Sequence, residues 1–124
     1  MNQQATDGRD DERRAFPRRS VNIPVRFSSA MLEFDVTVPL GDGLVEDISR
    51  GGLFLRSDLL EVPGTPVRLL LRMPTIRQPL QLEGRVAWVV EHPPKGPGMG
   101  IRLRGAPIGE RLFTRLFPVD VGRT

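Results

Sequence analysis

Cysteine and tyrosine are absent from this chain of 124 residues, and histidine and tryptophan occur once each, as His92 and Trp88. Without cysteine there is neither a disulfide framework nor a thiolate metal site. His92 stands alone in a proline-rich loop beside Glu91, so a catalytic triad or a histidine-based metal cluster has no material to work with. No nucleophile–base pair or phosphate-cradling helix start is readable either, which speaks against an enzyme. The acidic run Asp7, Asp10, Asp11 and Glu12 lacks the spaced ligands and glycine of a calcium loop, so no metal is expected. No apolar stretch is long enough to span a membrane, and Met1–Glu12 carries no apolar segment of a secretory signal. A soluble, cytoplasmic protein without a membrane partner is the expectation.

Lysine is nearly missing as well. Of the 18 basic side chains all but Lys95 are arginine, which puts the isoelectric point near 10.8 although the net charge is only +3. Arginine offers a planar fork for phosphates and base edges, whereas lysine acts as a point charge. A GC-rich coding sequence also replaces lysine by arginine, so only the placement of the arginines carries information.

What the chain does have is a hydrophobic fraction of 39%, with 12 prolines and 13 glycines. That suits one compact, turn-rich domain and not a helical bundle. Residues 1–12 show no apolar periodicity and read as a disordered lead-in. Val21, Ile23, Val25 and Phe27 then alternate with polar residues, the period of a half-buried strand. Pro24 requires that strand to lie at an edge, or its nitrogen to face away from a neighbour.

Further apolar runs follow at Met31–Leu40, Leu44–Ile48, Leu53–Ser57, Val67–Met73, Leu80–Val90 and Gly98–Leu103. "PLGDG" reads as a turn between the first two, and Ser-Arg-Gly-Gly as a hairpin turn whose glycines take positive φ. Six or seven short strands imply an antiparallel barrel. Ile108, Leu112, Phe113 and Leu116 fall at helical spacing, which predicts a helix over 107–117 with Pro107 in its first turn and these residues against the barrel. Residues 119–124 read as a flexible tail.

Two segments carry chemistry. In "RRAFPRR", residues 13–19, Arg14 and Arg18 are four apart, and Pro17 disfavours helix at Phe16. A charge run at a domain boundary is commonly a solvated arm. Two guanidinium forks on a turned segment can instead clasp a phosphate or the O6/N7 edge of guanine, with Arg13 adding a planar cation for stacking. Arg19 is expected to face solvent.

In "EDISRGGLFLRS", residues 46–57, Asp47 and Ser49 could cap a turn and Gly51–Gly52 could relieve a tight hairpin. On extended backbone, however, Asp47 and Ser49 share a face. A carboxylate there can accept the N1–H and N2–H of guanine beside a serine hydroxyl. Gly52 would let a ring or phosphate approach the backbone.

The combination Arg14-x-x-x-Arg18 and Asp47-x-Ser49-x-x-Gly52, in one chain with "ERRAFPR", "NIPV", "GRVAWV" and "GMGIRL" in that order, resembles the PilZ domain family, bacterial receptors for cyclic di-GMP. The likeness covers roughly residues 12–117. It implies a mainly all-β fold, a six-stranded antiparallel barrel over 20–104 with a short C-terminal helix, inside a domain spanning 13–118. It also implies an arm, 13–19, that closes over the ligand. By the same likeness Arg14 and Arg18 bind phosphate and the guanine Hoogsteen edge, while Asp47, Ser49, Gly51 and Gly52 form the barrel side. Arg13 accompanies a stacked ligand dimer, hence two cyclic di-GMP molecules per site and no further cofactor. The implied function is a receptor that signals in trans to a protein effector, in processes such as motility and biofilm control.

Two other functions compete. A PilZ-like adaptor could serve protein contacts without ligand, although the intact motifs oppose that. A single-stranded nucleic-acid binder would interleave aromatics along its face, and these make up only 6% of the chain. Trp88 is expected in the core or half-buried, Met99 in packing, and Arg102 and Arg104 on a solvated face of the last strand.

Overall fold

The computed structural model describes residues 16–31 and 36–118, so the lead-in over 1–12 and the tail over 119–124 lie outside the described residues. Six strands and one helix follow in order: β1 Arg19–Met31, β2 Val36–Ile48, β3 Gly52–Arg56, β4 Pro66–Leu71, β5 Leu80–Val90, β6 Gly98–Leu103 and α1 Glu110–Leu116. They form a closed barrel in the order β1-β2-β3-β6-β5-β4, with β4 returning to β1 and every neighbouring pair antiparallel. Closure leaves no open sheet edge.

The alternation seen in the sequence becomes inside and outside. Ile23, Val25 and Phe27 are buried in the barrel while Asn22, Pro24 and Arg26 are exposed. Val45, Ile48, Leu55, Leu69, Leu71 and Met99 meet them at the centre, each fully buried. Phe113 and Phe117, one helical turn apart with ring centroids at 5.1 Å, are buried in the same core. A helix of seven residues does not persist in water by itself, so α1 exists because these rings are buried. Glu110 in its first turn and Arg115 in its last complement the helix dipole.

Several boundaries differ from the sequence reading. The runs 31–40 and 44–48 are not two strands around a turn: "PLGDG" lies inside the single strand β2. Phe27 pairs with Gly41 and Ser28 with Pro39, so one extra residue is absorbed as a bulge and the strand continues. Gly43 suits this course, because a Cβ there would run into Leu55 and the backbone of Arg56. β1 is not an edge strand. It pairs with both β2 and β4, and Pro24 sits one position beyond the β4 ladder, which begins at the Val25–Leu71 pair.

The helix starts at Glu110 after Gly109, not at Pro107. Leu112 is turned outward, 54% exposed, because the Phe113–Phe117 pair sets which side of the helix faces the core. Truncating Phe27 to alanine should cost about 3–5 kcal/mol, the usual range for an emptied aromatic core position. The loss would be read as a lower urea midpoint at unchanged slope.

Candidate functional site

The strand pair β2–β3 is joined by the loop Ser49–Gly51, and the loop is built by its own side chain. The Ser49 N–H donates to the Gly52 carbonyl at 2.7 Å. Its hydroxyl donates to the same carbonyl and accepts from the Gly51 N–H, both at 3.3 Å. Ser49 is 5% exposed, so the hydroxyl has a turn-forming role whatever else it does. The glycines do not serve through backbone conformation as the sequence suggested. Among the described residues the positive-φ glycines are Gly64 and Gly105. Gly51 is instead a seat for Phe16, whose ring edge comes within 3.3 Å of where a Cβ would stand.

Asp47 lies on the outward side of β2, in register with Ser20 of β1 and Phe54 of β3. Arg18 reaches it from the arm: Nη1 donates to Oδ2 at 3.4 Å, across 29 positions of sequence. A long, partly exposed pair of this kind contributes at most about 1 kcal/mol. The contact is therefore easily exchanged. Side by side, the two groups offer guanidinium donors and carboxylate acceptors on the outer surface. The structure thus brings together Arg18, Asp47, Ser49, Gly51 and Gly52, while Arg13 and Arg14 lie outside the described residues.

Arg50 was not singled out from the sequence, yet it joins three elements. Its guanidinium lies 4.9 Å from the Phe16 ring centroid, and its Nε donates to the Ile108 carbonyl at 2.6 Å. The Ile108 N–H returns a 2.9 Å bond to the Arg50 carbonyl, and the Leu103 N–H bonds the Gly51 carbonyl at 2.9 Å. Arm, hairpin loop and the approach to α1 are therefore held at one point. Arg19 departs from its expected solvent position, with its guanidinium 5.5 Å from the centroid of the Phe113 ring. The reason is register. Arg19 pairs with inward-facing Ile48, so its side chain stands on the side of the core in which Phe113 is buried. Only the spacing from Phe16 through Arg19 to the helix could have hinted at these contacts, and that spacing has no meaning before the fold is known.

Trp88 is half-buried, as expected, on the outer surface. Asp47, Phe54, Gly100 and Trp88 follow one another through the register of β2, β3, β6 and β5. The indole crosses Gly100, where a Cβ would collide with it, and stacks on Phe54 at 5.4 Å. The Lys95 ammonium stands 5.0 Å from the Phe54 centroid and 5.4 Å from that of Trp88. Arg56 fixes the loop that carries Lys95, forking onto both oxygens of Glu46 and donating to the carbonyls of Pro94, Lys95 and Gly96. The hydrogen bond to Glu46 raises the Arg56 guanidinium further above its ordinary value.

Residues 12–117 match the PilZ domain. Among solved structures, the Bacillus subtilis inhibitor of motility MotI/DgrA is similar with a TM-score of 0.54 and 17% identity. The match covers 99% of this chain and 52% of that one, so the chain spans about half the length of that relative. The PilZ domain of CeSA from a cellulose-synthesizing bacterium is similar with a TM-score of 0.53 and 17% identity, covering 81% of this chain and 94% of that one. Comparison with curated proteins gives no significant match.

Replacing Arg50 by alanine should release α1 more than it disturbs the barrel. The bond to Ile108 is charge-assisted and partly buried, so about 1–2 kcal/mol is expected. In hydrogen exchange, protection should fall at the Phe113 and Phe117 amides while the β1 and β4 amides keep theirs.

Proposed function

The chain belongs to the PilZ domain family, and on that premise we propose that it is a non-catalytic receptor for cyclic di-GMP, acting in the cytoplasm and passing the signal in trans to a protein effector. The observation that carries this reading is the Arg18–Asp47 contact at 3.4 Å. It brings the two motif segments to one place on the outer surface, with an arginine fork beside a carboxylate.

Ligand binding exchanges partners. The guanine N1–H and N2–H take over the acceptors of Asp47, a guanine O6/N7 edge or a phosphodiester takes over the donors of Arg18, and Arg14 supplies the second fork of the arm. Closing a cationic segment costs conformational entropy, which charge-assisted bonds available only with ligand can offset. The ligand therefore shifts the population towards the closed arm. Phe16 lies against Gly51 and Arg50, so movement of the arm is felt at Ile108 and at the start of α1. Arg13 is assigned to stacking on a second ligand molecule.

Calorimetric titration with cyclic di-GMP should show saturable binding, with GTP as the negative control. Each charge-assisted hydrogen bond carries roughly 1.5–3 kcal/mol. Arg14→Ala and Asp47→Ala should therefore each weaken binding by about a hundredfold or more. Arg13→Ala should halve the stoichiometry. A folded wild-type protein that takes up no ligand overturns the receptor reading and leaves the ligand-independent adaptor.

A further inference from the structure

Three residues at positions that the motif spacing leaves open meet one another. Phe16 stands between Arg14 and Arg18 in the arm, and Arg50 and Gly51 stand between Ser49 and Gly52 in the hairpin loop. The half-buried Phe16 ring lies against both loop residues. Its edge is 3.3 Å from where a Cβ of Gly51 would stand, and the Arg50 guanidinium is 4.9 Å from its centroid.

The walls of this seat are fixed without the ring. Gly51 accepts from the Leu103 N–H at 2.9 Å and donates its own N–H to the Ser49 hydroxyl at 3.3 Å. Arg50 is bonded to Ile108 in both directions, through its Nε at 2.6 Å and its carbonyl at 2.9 Å. A guanidinium already held in this way loses little freedom when a ring settles against it, whereas a solvated arginine loses more. Gly51 has no positive φ to account for its missing side chain, and the ring occupies the space a side chain would need.

The seat matters because the neighbouring contact of the arm is exchangeable. The Arg18–Asp47 pair is long and partly exposed, and on the receptor reading above it opens as ligand enters. Keeping the arm in place during that exchange needs a contact the ligand does not consume. The Phe16 ring supplies one, since it has no hydrogen-bonding group for a ligand to compete with. Covalent geometry then keeps the Cα of Arg14, two residues away, within about 7 Å of the Phe16 Cα.

We infer that Phe16 is the positioning residue of the arm: seated against Gly51 and Arg50, it holds the arm on the hairpin before ligand arrives and so presents Arg14 and Arg18 to cyclic di-GMP. The inference rests on the receptor reading. Where only a fraction of the population is competent to bind, the apparent affinity falls by that fraction. Phe16 raises the fraction without touching the ligand, so its loss slows association and leaves dissociation as it was. A side chain that touches the ligand acts chiefly on dissociation.

The test measures association and dissociation of cyclic di-GMP by surface plasmon resonance with the full chain immobilised. Wild type is compared with Phe16→Ala, Phe16→Tyr, Gly51→Val and the double variant Phe16→Ala/Gly51→Val. Phe16→Ala should associate about tenfold more slowly at an unchanged dissociation rate, the scale of one ring–guanidinium contact with its ring burial. Phe16→Tyr, which keeps the ring, should bind as wild type. Gly51→Val should lose as much as Phe16→Ala, and the double variant no more than either, because both remove the same contact. Without ligand, Phe16→Ala should melt at the wild-type temperature, since Phe16 precedes the first barrel strand. Unchanged binding by Phe16→Ala overturns the inference and leaves the receptor reading intact. So does a loss confined to the dissociation rate, which marks direct contact with ligand, or one that follows a lowered melting temperature, which marks a structural role. Additive losses in the double variant overturn the shared seat. Absence of binding by the folded wild type overturns both the inference and the reading beneath it.

Discussion

Closure of the six-strand ladder through β1 is the constraint on which the rest of the molecule depends. Because β1 pairs with β2 on one side and β4 on the other, every strand has its two faces assigned, and inward and outward residues cannot be exchanged without moving a whole register. The fully buried Phe27, Leu55 and Leu69 fix the inward set. The outward set is then determined: Asp47 beside Phe54, Gly100 beside Trp88, Gly52 beside Arg102. The chemistry of the outer surface is a consequence of which residues the core leaves outside.

Against that rigid wall the contacts of the arm and helix are few and exchangeable. Phe16 on Arg50, Arg18 on Asp47 and Arg19 on Phe113 are three contacts of an N-terminal segment with three different parts of the fold. None of them is strong alone, and contacts of this strength are suited to being replaced by a ligand. Arg50 gives the arrangement its direction, since the side chain that touches the arm also holds the carbonyl of Ile108 ahead of α1. A helix of that length depends on tertiary burial.

Much of the architecture was legible in the sequence because period-two alternation is a direct record of a closed sheet. It located the core residues of β1, the β2–β3 hairpin and the last three strands. It failed at "PLGDG", where glycine and proline mimic a turn but a bulge carries the strand through, and at the helix, where an apolar Leu112 was assigned to the core. In both places local composition was overruled by a long-range partner. For the candidate site, residue type and spacing single out Arg18, Asp47, Ser49, Gly51 and Gly52, and the fold places them near one another. The turn-forming work of the Ser49 hydroxyl and the Arg50–Ile108 bond could not be read in this way, because each needs coordinates of a partner chosen by the fold.

The sequence by itself determined the alternation, the absence of thiols, and the supply of arginine in place of lysine. Those are properties of residues and their order. Only the tertiary structure decided which arginines share a surface: Arg18 with Asp47, Arg50 with Phe16, Arg85 with Arg102. These residues are separated by between 17 and 34 positions, and barrel closure brings them within side-chain reach. Charge acts through distance, and distance between such residues exists only once the ladder has closed.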